Sequence, residues 1–352
     1  MPYGISSAHA ACADSIYKAL SHNGIYHVWL LVLYHRSLRL IYRSIPDSNN
    51  ARQNAVFIKE TDSEMLVSIA TPTYNRAALL PRLYQSLCRQ SCKDFEWLVV
   101  DDGSTDSTES VVNGFIIDGI LPIRYLRKSN GGKHSAVNLA AREARGELFF
   151  IADSDDWLPE TAVADVIEAF TAIKDNDSFA GVCGLDQYAD GSIVGSGLPC
   201  ASIDAAPQEI RNKWRVAGDL KEVFRTNVLR EYPFPEIPGE RFCPEALIWN
   251  RIGLKYKLHY FNKPIYTVEY QPDGLSNTIT IARMKSPIAS MMTYSEWFDF
   301  APSFTAKLRM AINYWRFAFC TTSKNRIRIA RWGRLPLPLG WLLHIKDRAS
   351  LR

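Results

Sequence analysis

The 352-residue sequence contains no run of apolar residues near the ~20 that a membrane-spanning helix needs. Its longest early run, Val28 to Tyr34, is bounded by His27, His35 and Arg36. Neither the leading positive charge nor the small-residue cleavage site of a secretory leader is clear around that run. The cysteines are seven, an odd number: Cys12, Cys88, Cys92, Cys183, Cys200, Cys243 and Cys320. They are scattered and form no CxxC pair, which argues against a disulfide framework and for a reducing compartment. The seven histidines form no HExxH and no Cys/His cluster, so a structural zinc site is not expected. No GxxxxGK[ST] loop is present. The net charge of +4 is too small to suit the whole chain to nucleic acid.

What remains is ordinary for a globular protein: 47% apolar and 22% charged residues, enough to bury a core. The length suits one large domain or two modest ones, at roughly 150 residues each. Residues 1–64 show no clear amphipathic pattern and contain the loop-like Ser44 to Asn50. They read as an extension, either a variable N-terminal arm or a segment preceding a natural start at Met65.

From Met65 onward, strand and helix alternate. Leu66–Ala70 is a short apolar strand, and Asn75 can cap a helix with Leu79, Leu83 and Leu87 on one face. Glu96–Val100 is a second strand, ending in Asp101–Asp102–Gly103–Ser104, where Ser104 or Asp106 can cap a helix through Val111 and Val112. Ile123–Leu126 is a third. A helix over Lys133–Arg145 buries Ala136, Val137, Ala140, Ala141 and Ala144, with Gly146 suited to its C′ position. Leu148–Ala152 is a fourth strand, stopping at Asp153–Ser154–Asp155–Asp156. Four strands so separated predict a doubly wound, mostly parallel sheet.

Beyond that, Val182–Tyr188, Lys221–Arg225 and Lys263–Tyr270 read as strands. Tyr232–Gly239, with three prolines, reads as a loop, and Pro244 opens a helix over Glu245–Ile252.

Ligands of open α/β sheets bind beyond the carboxyl ends of the strands. Thr71–Asn75, Asp101–Ser104 and Asp153–Asp156 each follow a strand, so all three should converge on one edge. Asp153–Ser154–Asp155 is a DxD, whose alternation turns two carboxylates to one side. Such a pair can hold a hard divalent cation against a diphosphate; alternatively, Asp156 simply caps the next helix. A carboxylate at Asp101 or Asp102 can accept a nucleobase imide N–H or a ribose hydroxyl, or merely complete a turn. Asn130–Gly131–Gly132–Lys133 leads into a helix whose free N–H groups suit an anion, with Lys133 adding charge, or it is an ordinary helix entry.

The ordered set Val67 to Arg76, Val100 to Asp106, Asn130 to Lys133 and Asp153 to Asp156 resembles family 2 glycosyltransferases of the GT-A fold, over about residues 65 to 280. The resemblance implies an inverting transfer from a nucleotide sugar, UDP-linked, to an acceptor hydroxyl in polysaccharide or glycolipid assembly, with Mg²⁺ or Mn²⁺. It places Thr71, Pro72, Tyr74, Asn75, Asp101, Asp102 and Lys133 around the nucleotide sugar. Asp153 would face the ribose or the metal, and Asp155 would ligate the metal directly. The base implied is an acidic residue at a helix start. Many members read Glu-Asp there; this chain reads Arg241–Phe242–Cys243–Pro244–Glu245–Ala246. Glu245 is the expected base, with Glu240 and Glu236 as competitors. Tyr270–Ser276 resembles a loop that closes over the donor in bacterial polysaccharide-assembly members.

The segment 286–352 changes character. Trp297, Phe298, Phe300, Tyr314, Trp315 and Phe317 are dense aromatics. From Lys307 to Arg352 there are eleven Lys or Arg against one acid, Asp347. This composition suits a helical tail lying on an anionic membrane. Pro336–Leu343 is apolar but too short and interrupted to span. The alternative is a helix packed on the domain or a dimer contact. The expected location is cytoplasmic, peripheral at the inner membrane face. The competing functions are a sugar nucleotidyltransferase and a catalytically silent sugar-nucleotide-binding module recruited to the membrane. A nucleic-acid partner is not expected, because no recognised motif accompanies the basic tail.

Overall fold

The structure, a computed structural model, describes residues 66–269 and 275–350. The extension 1–64 and most of the Tyr270–Ser276 loop lie outside the described residues.

The first half alternates strictly: β1 (Val67–Thr73), α1 (Leu80–Cys88), β2 (Phe95–Asp101), α2 (Thr108–Asp118), β3 (Ile123–Arg127), α3 (Lys133–Glu143), β4 (Leu148–Ile151) and α4 (Ala162–Thr171). The second half holds β5 (Phe179–Tyr188), β6 (Ser202–Ala205), α5 (Pro207–Asn212), β7 (Leu220–Arg225), α6 (Thr226–Glu231), α7 (Glu245–Ile252) and β8 (Lys257–Val268). Three longer helices follow α8 (Leu275–Lys285): α9 (Pro287–Phe300), α10 (Phe304–Ala318) and α11 (Leu337–Ser350).

All eight strands form one sheet in the order β3-β2-β1-β4-β7-β5-β8-β6. β3, β2, β1 and β4 run parallel, as the alternating pattern requires, and β5 is parallel to β8. β7 lies antiparallel between β4 and β5, and β6 closes the far edge antiparallel to β8. β1, β2 and β4 are buried along their whole length, the mark of strands covered on both faces.

Two cores result. One face packs Ala136, Val137, Ala140 and Ala141 of α3 with Leu247 and Ile248 of α7. The other packs Leu80, Leu83 and Leu87 of α1 with Val163, Val166 and Phe170 of α4. On that second face Tyr84 stacks on Phe115, with ring centroids 4.1 Å apart, and Trp97 donates its indole N–H to Thr71 Oγ1 at 2.9 Å.

Several local expectations are corrected. Asn75 does not cap α1; it sits at φ 52° before a turn, and Leu79 is the cap. Neither Ser104 nor Asp106 is the cap of α2, which is Ser107; the Ser104 Oγ accepts the Asn75 N–H instead. Asp106 holds the Thr108 N–H at the start of α2, at 3.0 Å. Gly146 is not a left-handed C′ residue. A Cβ there would lie 2.5 Å from the Ser68 nitrogen, so close packing against β1 is what requires glycine. β8 begins at Lys257, well before Lys263, and β6 has no counterpart in the sequence pattern.

The basic aromatic segment is not a loose tail. Met291, Tyr294 and Phe298 of α9 and Ala311, Tyr314, Trp315 and Phe317 of α10 build a third core. Trp315 donates to the Gly333 carbonyl at 2.9 Å. Gly340 lets α11 cross α10 closely, since a Cβ there would meet Trp315 Cβ at 2.4 Å. This bundle joins the α/β domain through α9. Glu240 accepts the N–H groups of Ile288 at 2.6 Å and Ala289 at 2.9 Å, and Arg251 forks onto Glu296 at 2.6 and 2.9 Å. Among the described residues no helix is long and apolar enough to cross a membrane.

Candidate active site

The C-terminal ends of β1, β2 and β4 share one edge of the sheet, so the three polar clusters meet there. The first two are fastened to each other. Asn75 donates its N–H to Ser104 Oγ at 2.8 Å, and its side-chain carbonyl accepts from Thr105 N at 2.7 Å. Ala77 N–H reaches Asp106 at 3.1 Å. Thr71 and Pro72 are buried, while Tyr74 is 45% exposed at the rim. Thr73, which the sequence pattern does not single out, buries a hydroxyl with no hydrogen-bond partner among the described residues.

The adjacent aspartates divide their work. Asp101 is fully buried, accepting the Ser104 N–H at 2.7 Å and the Tyr125 hydroxyl at 2.6 Å. Asp102 accepts the N–H groups of Gly131 at 2.9 Å and Gly132 at 2.6 Å, plus Lys128 Nζ at 2.8 Å. It therefore shapes the Asn130–Lys133 turn. Gly132 is needed twice over: its φ is 94°, and a Cβ would lie 2.0 Å from the Arg241 carbonyl oxygen. Through that contact the turn abuts the segment that leads into α7.

Lys133, the first residue of α3, is the centre of the arrangement. Its ammonium lies 2.7 and 2.9 Å from the two Asp153 oxygens and 2.9 Å from Glu245 Oε1. Burial would lower the lysine's proton affinity, yet attraction from Asp153 and Glu245 outweighs it and the pKa rises. Burial likewise works against the charged form of Asp153, but Lys133 and Lys221 hold its carboxyl below the ordinary range.

The DxD turn itself is clamped. Asp153 donates its N–H to the buried Tyr266 hydroxyl at 2.6 Å. Arg82 lies 4.2 Å over the Trp157 ring and bonds the Asp155 carbonyl. Asp156 does not cap α4, whose cap is Thr161. It accepts the Glu269 N–H at 3.0 Å. Burial, with Asp153 adding, pushes its carboxyl up to about 7.

Of the expected metal ligands, Asp153 is thus paired with Lys133. No hydrogen bond or ion pair engages the Asp155 carboxylate among the described residues, while its backbone is held. No group of three or more His, Cys, Asp or Glu able to hold a metal exists among the described residues. Such a donor set fits a hard cation that takes most of its oxygens from phosphates and water, not one caged by protein.

The carboxylates around α7 separate clearly. Glu245 opens the helix at the site. Glu240 is consumed by the α9 N-terminus, and Glu236 accepts from Asn138 at 2.8 Å. Pro244 is the N-cap itself, one position earlier than a first-turn proline.

The sequence reading missed a second polar group on the neighbouring strands. Asp186 on β5 is 5% exposed, and its Oδ1 has no hydrogen-bond partner among the described residues. Burial pushes it up to about 6, with Asp219 and Asp153 adding and Lys221 opposing. Glu222 on β7 is pushed up to about 8 by burial, with Glu245 and Asp186 adding. Lys221 sits 3.5 Å above the Tyr266 ring. The signal was an acid inside an otherwise apolar strand, as in Phe179–Tyr188. A cleft of about 350 Å³ also opens between Asn130–Ser135 and Glu236–Arg241, walled by the buried His134, whose Nδ1 has no partner.

Comparison with known proteins gives a family match and a fold. The sequence model described as Glycosyl transferase family 2 matches residues 68–186. The chain is 27% identical over 227 residues to "Glycosyltransferase GlyG" of Streptococcus pneumoniae, covering 60% of this chain and 73% of that one. It is 28% identical over 242 residues to "GalNAc(5)-diNAcBac-PP-undecaprenol beta-1,3-glucosyltransferase" of Campylobacter jejuni, covering 65% and 72%. Among solved structures, S. aureus TarS 1-349 in complex with UDP-GlcNAc superposes with a TM-score of 0.51 at 18% identity, over 80% of this chain and 89% of that one. The likeness at that identity is one of fold, the GT-A fold.

Proposed function

We propose that this chain, whose residues 68–186 match the Glycosyl transferase family 2 model, is a glycosyltransferase like its relatives and transfers a sugar from a UDP-linked donor to an acceptor hydroxyl, with inversion at the anomeric carbon and the help of a divalent cation. The observation that carries this reading is the Lys133 bridge. One ammonium ties the first carboxylate of the DxD to the carboxylate that opens α7, so the donor side and the acceptor side of the reaction meet across a single side chain.

The nucleoside lies at the ends of β1 and β2, with Tyr74 as an exposed ring for the base and the unpartnered Thr73 hydroxyl beneath it. Thr71, Asn75, Asp101 and Asp102 hold the walls of that cradle through the bonds described above, and the buried Pro72 completes them. Asp153 and Lys133 face the ribose and the sugar. Mg²⁺ or Mn²⁺ would be held by Asp155, near Asp153, and would supply charge to neutralise the departing diphosphate. Glu245 takes the proton of the acceptor hydroxyl. The acceptor oxygen forms its bond to the anomeric carbon as the bond to the diphosphate breaks, and the nucleoside diphosphate leaves.

Two further features of the reading rest on relatives. TarS was solved with UDP-GlcNAc, which supports a uridine donor. The Campylobacter relative is named for an undecaprenol-diphosphate-linked acceptor, which supports a lipid-linked or polysaccharide acceptor here, met by peripheral contact with the membrane through residues 286–352.

The test is a panel of nucleotide sugars titrated and turned over with and without Mg²⁺ or Mn²⁺. One donor should bind, and its slow hydrolysis should require the metal. Asp155→Ala should abolish the metal response. Glu245→Gln should bind the donor unchanged and lose about 10²- to 10⁴-fold in transfer. Metal-independent hydrolysis unaffected by either substitution would sink the mechanism. Absence of donor binding with any metal would favour a silent module instead.

A further inference from the structure

Of the fifteen large hydrophobic side chains exposed among the described residues, eight belong to the C-terminal bundle: Phe300, Phe304, Trp332, Leu335, Leu339, Trp341, Leu342 and Ile345. Their placement on α11 is regular. Leu339, Leu342 and Ile345 recur one turn apart and face out, at 49, 56 and 43% exposure, with Trp341 beside them at 48% and Leu335 just before the helix at 79%. The opposite face carries Gly340 and His344, both buried against α10, and Asp347, which is taken by Arg316 at 2.7 Å. A helix on a globular surface puts its apolar stripe inward and its charges outward. Here the inner side is already satisfied and a second apolar stripe faces out.

Cations border that stripe. Arg331, Arg334, Lys346 and Arg348 are all exposed, and no carboxylate is paired with them among the described residues. The one acid of the stretch, Asp347, is turned inward. Apolar side chains, two tryptophans and a rim of unpaired cations form the chemistry of a surface that enters the headgroup region of an anionic bilayer. A protein partner for such a face would have to match both the apolar stripe and the surrounding positive rim, whereas an anionic leaflet meets both at once.

We infer that the outward face of α11, with the Arg331–Leu335 segment before it, is a membrane-docking surface that inserts Leu335, Leu339, Trp341, Leu342 and Ile345 among the acyl-chain ends of an anionic leaflet while Arg331, Arg334, Lys346 and Arg348 bind its headgroups. The docking is interfacial, since no described helix is long enough to span. This deepens the membrane contact named under the proposed function. It is read without any sugar transfer, so its failure and the failure of the transferase reading are separable.

The experiment is co-sedimentation of the full chain with vesicles of neutral phosphatidylcholine and with vesicles containing a third phosphatidylglycerol. Binding to the anionic vesicles should exceed that to the neutral ones by tenfold or more and should fall as salt rises. The triple variant Leu339→Ser, Leu342→Ser, Ile345→Ser should lose at least tenfold in vesicle binding, with an unchanged circular dichroism spectrum and melting temperature, because those side chains are exposed and none is a buried member of the third core. Arg331→Glu with Arg334→Glu should remove the preference for anionic lipid. As a second readout, the vesicle-induced blue shift of tryptophan emission should shrink in Trp341→Phe. Equal binding to both vesicle types, or undiminished binding by the triple variant, overturns the inference. So does a concentration-dependent dimer that the triple variant dissociates while vesicles bind neither form, since the face would then be covered by a second copy.

Discussion

Glu222 shows how a single side chain records its surroundings. It lies on β7 opposite Cys183, half-buried, with Glu245 and Asp186 near enough to repel its charge. Burial first, and those two carboxylates next, raise its carboxyl to about 8 from an ordinary 4.5, while its own backbone N–H and Lys221 oppose. Between those two values the folded protein holds a proton that the unfolded chain releases, so stability falls as pH rises through that window. Glu222→Gln removes the proton exchange. The variant should match the parent near pH 4.5 and gain on it progressively toward pH 8, by on the order of 1–2 kcal/mol, as read by thermal melts across the range. A constant difference at all pH values would show that Glu222 is already ionised in the native state. The same scale explains why Lys133 outranks the other charges of the site. Alone it would be an unremarkable helix entry; with two carboxylates within 2.9 Å it ties the DxD turn to the start of α7.

Among the elements, α9 depends on a residue far from it in sequence. No side chain in its first turn caps it, and its N-cap Ser286 makes no capping bond. The Glu240 carboxylate does so from the loop before α7, receiving two N–H groups at the positive end of the helix dipole. Glu240→Ala should cost about 1–2 kcal/mol in denaturant unfolding and speed proteolysis near residues 286–289, while donor binding at the β1 and β2 ends is retained. Loss of donor binding instead would mean that Glu240 acts at the site. The first four strands and the helices between them were legible: β1, β2 and β4 are short apolar runs that stop at polar clusters of Thr or Asp, and β3 falls into the same strand–helix alternation. The Glu245–Ile252 helix was legible because Pro244 marks its start. β6 was not, since Ser202–Ala205 is a four-residue edge strand of alternating exposure, too short for periodicity to mark. Gly146 misled because a glycine after a helix usually signals a left-handed turn, whereas here β1 presses against it.

At the scale of the whole molecule, the sheet is a parallel half continued by a mixed half. The DxD at the end of β4 stands at the seam, beside β7, which runs the other way. That seam brings Lys221 and Glu222 next to Asp153 and Glu245, and no local pattern announces it. The aromatic and basic C-terminal segment is likewise two things at once. Its aromatics mostly face a third core, while its cations and a second apolar stripe face outward, so packing of the segment leaves open the outer face on which the docking inference rests. By itself the sequence determined the elements of the parallel half, the clusters at their ends and the composition of the tail, because each depends on residues within one or two turns. Only tertiary structure decided that Lys133 bridges Asp153 to Glu245, that Asp102 accepts the N–H groups of the glycine turn, that the Glu240 carboxylate receives the first N–H groups of α9, and that α11 turns leucines outward. Each of these is a contact between residues distant in the chain, where burial and partner geometry, not spacing, determine what a side chain does.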